Sequence, residues 1–214
     1  MTRRTARLFD FDRECSQGGP LLLAGVDEAG RGCWAGPVVA AAVILPTDWL
    51  PTDLDDSKQL TPARREDLAV RIRARAVAWA ACAVGPRVIE TENILAATLQ
   101  AMARSVARLR PAPDLVLVDG LQTPSVACAA RALVKGDATS AAVAAASVLA
   151  KVLRDRVMVA WDRRYPGYGF AAHKGYGAPV HREALQRLGP CILHRRTYKP
   201  IAALDQTRLW NDPC

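Results

Sequence analysis

Apolar and polar residues fall into blocks along this chain, and the blocks change period as the chain proceeds. Residues 21–26 and 38–45 are apolar runs of strand length, joined through a glycine-rich turn and Gly36-Pro37, so they predict two adjacent buried strands. After a loop over 46–60, Thr61-Pro62 supplies an N-cap with proline at the first helical position, and Leu68, Ile72 and Ala76 continue at helical spacing. Residues 77–84 read as a further strand, closed by Gly85-Pro86. From about residue 92 to 109, Ile94, Leu95, Thr98, Met102, Val106 and Leu109 keep one face apolar and predict a single longer helix, which Pro111 and Pro113 break. Residues 115–118 form a short apolar strand ending in Asp119-Gly120, and 126–134 form one more before Lys135-Gly136-Asp137.

The alanine-rich stretch 140–165 predicts the longest helix, with Ala146, Leu149, Leu153, Val157 and Trp161 along one side and Pro166 as its stop. Beyond it, Gly, Pro, His and Arg mix around one short helix at 181–188, which suits a cap rather than a separate core. Strands alternating with helices predict an α/β fold with a mixed central sheet. The expected organisation is a flexible basic extension over 1–19, a core over 20–166, and a helical cap and tail over 167–214. No internal repeat interrupts it.

Composition narrows the class. A chain of 214 residues, 50% of them apolar, suits one globular unit with a small appendage. Lys and Arg number 29 against 21 Asp and Glu, a net charge of +8, which favours a polyanionic partner. The pairs Arg3-Arg4, Arg163-Arg164 and Arg195-Arg196 each read singly as solvated charge, although the last also suits contact with nucleic acid. The six cysteines show no Cys-x-x-Cys spacing, which argues against a zinc knuckle or a dense disulfide framework and for reduced thiols. His173, His181 and His194 match no common zinc pattern and read as structural. No run approaches the roughly 20 apolar residues of a membrane helix, and the N-terminus has no apolar signal core. The expectation is a soluble, cytoplasmic, monomeric protein that avoids membranes.

The chemistry concentrates in acids. Asp27 and Glu28 stand side by side in Gly25-Val26-Asp27-Glu28-Ala29-Gly30-Arg31-Gly32, at the mouth of the first predicted strand. Hard cations take several oxygen ligands, and a glycine turn lets backbone N–H groups approach a polyanion without side-chain obstruction. Asp119 ends a buried strand as Asp27 does, so both project from the same end of neighbouring strands, and Asp137 comes just before the long helix. Alone, each has an ordinary explanation as a strand end, an Asp-Gly turn or an N-cap. Together, in a basic chain with no other metal-ligand cluster, the four match a two-metal phosphodiesterase site.

These segments, with Asp56-Ser57-Lys58-Gln59-Leu60, Asn93-Ile94-Leu95, Leu117-Val118-Asp119-Gly120, Lys135-Gly136-Asp137, the run 145–155 and Lys174-Gly175-Tyr176-Gly177, resemble the ribonuclease HII family across about residues 20–200. The resemblance implies a ribonuclease H-like fold with a small helical C-terminal extension. It also implies cleavage of the RNA strand in RNA–DNA hybrids and incision 5′ of single ribonucleotides embedded in duplex DNA, serving ribonucleotide removal and RNA primer removal. It maps the family's catalytic, metal-binding acids onto Asp27, Glu28, Asp119 and Asp137, which would hold two Mg2+ or Mn2+ ions with Asp27 bridging them. Gly30, Arg31 and Gly32 correspond to the family's ribose-reading turn, and Tyr176 to its junction-sensing tyrosine, although Tyr176 reads equally well as a half-buried side chain in a glycine loop.

Lys58, Ser147 and Lys151 are candidate phosphate contacts, with the alternative that Lys151 pairs with Asp155 one turn on. Cys33-Trp34 and Ala178-Pro179 depart from the usual Pro-Leu and Thr, which bears on substrate preference more than on catalysis. In the tail, Gln206, Leu209 and Trp210 resemble the short peptides by which bacterial replication proteins dock on a sliding clamp. A non-catalytic nucleic-acid-binding module of the same fold is the alternative, and the presence of all four acids argues against it.

Overall fold

The first two apolar runs pair as β1 (Leu23–Ala29) and β2 (Val38–Ile44), antiparallel, with Asp27 opposite Ala41. The computed structural model of the chain describes residues 3–16, 21–49, 51, 54 and 60–204. Strand β3 (Ala78–Val84) adds antiparallel to β2, whereas β4 (Leu115–Asp119) lies parallel to β1 and β5 (Ala129–Leu133) parallel to β4. The order β3-β2-β1-β4-β5 makes a mixed sheet. Strands β1 and β2 run through its middle with both faces covered, which is why their sequences are continuous apolar runs, while β3 and β5 at the edges alternate between covered and exposed residues.

Side-chain alternation assigns the two faces. Ala40, Ala42 and Ile44 of β2, Ala24 and Val26 of β1, and Val116 and Val118 of β4 pack with α4 (Ile94–Val106) and with Ile89 of α3 (Pro86–Glu92). Ala41 and Val43 turn the other way, toward α5 (Ala141–Arg164) and α2 (Pro62–Arg75). Leu23 and Leu117 share that second face with Ala142 and Val143. By the same alternation Asp27 and Asp119 belong to the α5 side. Gly25 is a necessity of this layer, because a Cβ there would stand 2.0 Å from the Ala142 carbonyl carbon.

Helix α5 differs from its reading as a helix with one apolar side. Every residue from 141 to 150 is buried, the signature of a helix running through the middle of the molecule. In its second half the buried positions are Val152, Arg154 and Met158, whereas Leu153, Val157 and Trp161 are half-buried. Its N-cap is Ser140, whose hydroxyl accepts from the Val143 N–H, so Asp137 is relieved of the capping role and sits in a short 3-10 turn, Gly136–Ala138.

Three further differences have local causes. The helix expected from about residue 92 is two helices, divided at Asn93, which takes φ 77° and accepts from the Leu95 and Ala96 N–H groups. Pro86, read as the close of a strand, is a first-turn proline and opens α3. The expected flexible extension is in part a helix, α1 (Arg3–Cys15), because Leu8 and Phe9 bury against α5 and Phe11 and Cys15 follow at helical spacing. Beyond α5 the cap holds α6 (Phe170–His173) and α7 (Pro179–Leu188), packed around Phe170, Tyr168, Leu185 and Ile201. The described cysteines are free, and no helix among the described residues is long and apolar enough to cross a membrane.

Asp12 fixes α1 by accepting from the Ala142 N–H at 2.9 Å, and its other oxygen has no partner among the described residues. Burial pushes its carboxyl from 3.8 up to about 6, against the pull of Ser140 and the α5 amides. The folded state therefore binds the proton more tightly than the unfolded chain, and the stability this contributes below pH 3.8 is lost as pH rises through about 6. Asp12→Asn keeps the acceptor and cannot ionise. Urea unfolding is expected to show the variant gaining on the parent across that window, by roughly 2–3 kcal/mol at neutral pH. Identical slopes in the two proteins would contradict this.

Candidate active site

Parallel pairing sets Val26 of β1 beside Val118 of β4, and the next residues along the two strands are Asp27 and Asp119. Two acids of one face are thereby brought side by side by register alone, Asp119 as the last residue of β4 and Asp27, expected at a strand end, inside β1, which runs on to Ala29 along β2. Asp27 is 5% exposed, and its Oδ1 accepts from the Glu28 N–H at 2.6 Å. Burial first, then the charges of Glu28 and Asp119, hold its carboxyl well above the usual range, with the Ser147 hydroxyl and the Glu28 amide pulling it back. Glu28 is also raised, chiefly by burial and further by Asp119, while Arg31, with Nη1 3.4 Å from its Oε1, lowers it. Asp119 Oδ1 accepts from the Gly136 N–H at 2.6 Å, which seats the 3-10 turn and Asp137 beside the strand end.

Three of the four expected acids therefore influence one another electrostatically, and the fourth follows the residue that bonds Asp119. Among the described residues no group of three or more His, Cys, Asp or Glu side chains is already arranged to hold a metal ion, so the acids do not form a preformed shell. Hard carboxylate oxygens that raise one another's proton affinity are a donor set suited to Mg2+ or Mn2+.

The remaining expected residues surround this edge. Gly30 takes φ +98°, and a Cβ on it would lie 1.9 Å from Nε of Arg154, so only glycine fits between turn and guanidinium. Arg31 and Gly32 are exposed. Ser147 lies on α5 with its hydroxyl committed to Asp27. Lys151 pairs with Asp155 at 2.7 Å, and its Nζ also lies 5.5 Å from the centre of the Tyr176 ring. Tyr176 is 44% exposed, and its side chain bonds the buried Cys33 thiol. Cys33 thus underlies the tyrosine, and Pro179 begins α7 with Ala178 as its N-cap. Lys58, Gln206, Leu209 and Trp210 lie outside the described residues.

The histidines behave as structural groups. His181 shares hydrogen bonds with the Tyr176 carbonyl at 2.8 Å and with His194 at 3.0 Å, and burial lowers both imidazoles to about 4. Sequence reasoning missed two arginines. Arg154 and Arg195 are wholly buried, and their guanidinium groups bond backbone carbonyls of the segment 30–37. Placement of Arg195 in a solvated pair is corrected for that residue, while Arg196 is exposed. Charge type gave no sign of this burial. The one usable hint was the proximity of Arg154 to the apolar stretch before it.

A family profile described as Ribonuclease HII matches residues 24–201. Ribonuclease HII of Moorella thermoacetica is 50% identical over 196 residues, covering 92% of this chain and 95% of its own length. The crystal structure of the ribonuclease H2 from Pyrococcus horikoshii OT3 superposes with TM-score 0.75 at 26% identity, over 89% of this chain and 99% of that one. In a structure of the PCNA:RNase HII complex from Archaeoglobus fulgidus, the matching chain gives TM-score 0.69 at 28% identity, over 84% and 96%. The mixed sheet flanked by helices is thus a ribonuclease H fold.

The coupling of the acids can be read directly. In a carbon-13 NMR titration without divalent ions, the Asp27 carboxyl is expected to take up its proton above the usual aspartate range, as part of a coupled set. Ser147→Ala, which removes a bond to the ionised form, is expected to move that step higher still. A midpoint that stays put or falls would count against the assigned contact.

Proposed function

The chain belongs to the ribonuclease HII family and is an endonuclease with ribonuclease H activity on RNA–DNA hybrids, and from that premise we propose that it also incises duplex DNA on the 5′ side of an embedded single ribonucleotide. The observation that carries this reading is the placement of Asp27 and Asp119 side by side on neighbouring strands, with Asp27 three residues before a glycine turn whose residues Arg31 and Gly32 are exposed. Hydrolysis would leave a 3′-hydroxyl and a 5′-phosphate.

Two divalent ions, Mg2+ or Mn2+, held by Asp27, Glu28, Asp119 and Asp137, would stabilise the negative charge that develops on the attacking and leaving oxygens. Asp27 is central to that set because its carboxyl feels the charges of both Glu28 and Asp119. The Ser147 hydroxyl favours its ionised form and so keeps it available as a ligand. Glu28 is restrained by Arg31, whose guanidinium would also meet the phosphate backbone.

The 2′-hydroxyl is what separates RNA from DNA at a given position, and backbone groups of Gly30 to Gly32 would bond it without side-chain obstruction. Tyr176 would lie against the sugar that follows the ribonucleotide. Its exposed ring is anchored through Cys33, which follows the same turn, and is flanked by Lys151 and Arg154. Lys151 lies close enough to that ring to exchange its Asp155 partner for a phosphate, with Lys58 as a further phosphate contact. The basic balance of the chain favours such a duplex.

The biological setting we infer is cytoplasmic removal of ribonucleotides and RNA primers during DNA replication and repair, by a monomer. A relative from Archaeoglobus fulgidus is recorded in complex with PCNA. That supports docking of this chain on a sliding clamp, for which the tail residues Gln206, Leu209 and Trp210 are the candidates.

The test is incubation with a duplex carrying one ribonucleotide, with and without Mg2+ or Mn2+. Incision is expected only with the ion and only 5′ of the ribonucleotide, and Asp27→Asn is expected to lose nearly all turnover while still binding the duplex. Turnover retained in that variant would overturn the metal-ligand assignment, and no incision of the duplex would overturn the substrate assignment.

A further inference from the structure

Arg195 is wholly buried, yet no carboxylate among the described residues bonds it. Its bonds all run to neutral oxygens. Nη2 donates to the Gly30 carbonyl at 2.7 Å and the Gly36 carbonyl at 2.9 Å, Nε to the Gly36 carbonyl at 3.1 Å, and Nη1 to the Arg31 carbonyl at 2.7 Å and Tyr198 Oη at 2.9 Å. Tyr198 Oη in turn donates to the same Arg31 carbonyl at 2.8 Å. Two successive carbonyls of the glycine turn are therefore drawn inward onto one guanidinium.

A trans peptide is planar and points its C=O and the following N–H in opposite directions. With the Gly30 and Arg31 carbonyls held inward, the N–H groups of Arg31 and Gly32 must face outward. Neither has a protein acceptor among the described residues. Arg154 supports the arrangement from behind, donating to the carbonyls of Ala35, Pro37 and Lys174, which ties the turn to the loop carrying Tyr176. Carbonyl dipoles solvate these two cations without cancelling their charge, so the turn rests on net positive charge.

We propose that Arg195, braced by the Tyr198 hydroxyl, is a positioning residue that orients the turn's outward N–H groups and thereby sets discrimination between ribose and deoxyribose. The proposal rests on the reading that the turn meets the 2′-hydroxyl. It requires the planar fork of arginine, since a lysine ammonium keeps the charge but cannot span three separated carbonyls. Arg195 itself never touches substrate.

The experiment compares full-length parent, Arg195→Lys and Tyr198→Phe by fluorescence anisotropy without divalent ions. The probes are two duplexes of one sequence, one all DNA and one with a single ribonucleotide, and thermal melting reports folding in parallel. The readout is the ratio of the two affinities, which a general loss of stability does not move. The parent is expected to prefer the ribonucleotide duplex, and Arg195→Lys to cut that preference roughly tenfold while binding all-DNA duplex as before. Tyr198→Phe, which removes one hydroxyl and leaves the ring, is expected to cut it about threefold. A folded Arg195→Lys with the parent's ratio overturns the proposal, and if that variant does not fold, an unchanged ratio in Tyr198→Phe does so. A parent with no preference would overturn the ribose-reading turn itself, and the proposal with it.

Discussion

Repulsion between carboxylates side by side on neighbouring strands is the constraint around which this molecule is organised. The parallel register of β1 and β4 leaves Asp27 and Asp119 no choice but to be neighbours on the α5 side, and Glu28 adds a third charge at the same edge. Burial sharpens the conflict, because it removes the water that would screen it. The surroundings relieve only part of it. Ser147 and the Glu28 amide favour the ionised Asp27, Arg31 lies against Glu28, and the Gly136 amide takes one oxygen of Asp119. A fold that needed only stability would bury apolar residues there, so the arrangement has the character of a site that sacrifices stability for chemistry.

The second organising feature is the set of contacts that joins the sheet to the cap. The turn after β1 is held between Arg154, which rises from α5, and Arg195, which comes from the segment beyond α7. The Trp34 and Ala35 amides donate to the Gly175 carbonyl, which adds direct backbone links between that turn and the Tyr176 loop. His181 and His194, both neutral near pH 7, complete the support behind the loop. The residues proposed to read sugar and those proposed to hold metal thus occupy one continuous framework, with the catalytic edge supplied by the sheet and the substrate-facing loops fastened by the cap.

Much of this was legible in the chain, and what was not has identifiable causes. Strands β1, β2 and β4 were plain because fully covered strands leave unbroken apolar runs, and the acids at their ends stood out against those runs. The division at Asn93 was hidden because an apolar face continues across it, and only the side chain's reach to two amides reveals a cap. Helix α1 was obscured by arginines at its start, although Leu8, Phe9 and Phe11 are the residues that dock it. Arg154 and Arg195 were the least legible of all. A charged residue is read as solvated by default, and the backbone carbonyls that make burial tolerable are contributed by a turn more than 100 positions away in sequence.

The most direct measurement is calorimetric unfolding of the parent chain and Asp119→Asn, first in chelator and then in excess Mn2+. Asparagine keeps the oxygen that accepts from Gly136 and removes one of the opposed charges. In chelator the variant is expected to melt above the parent. Added Mn2+, by binding the folded parent in preference to its unfolded state, is expected to reverse that order. The same order under both conditions, or a parent whose midpoint ignores the ion, would contradict the claim that these carboxylates form a cation site.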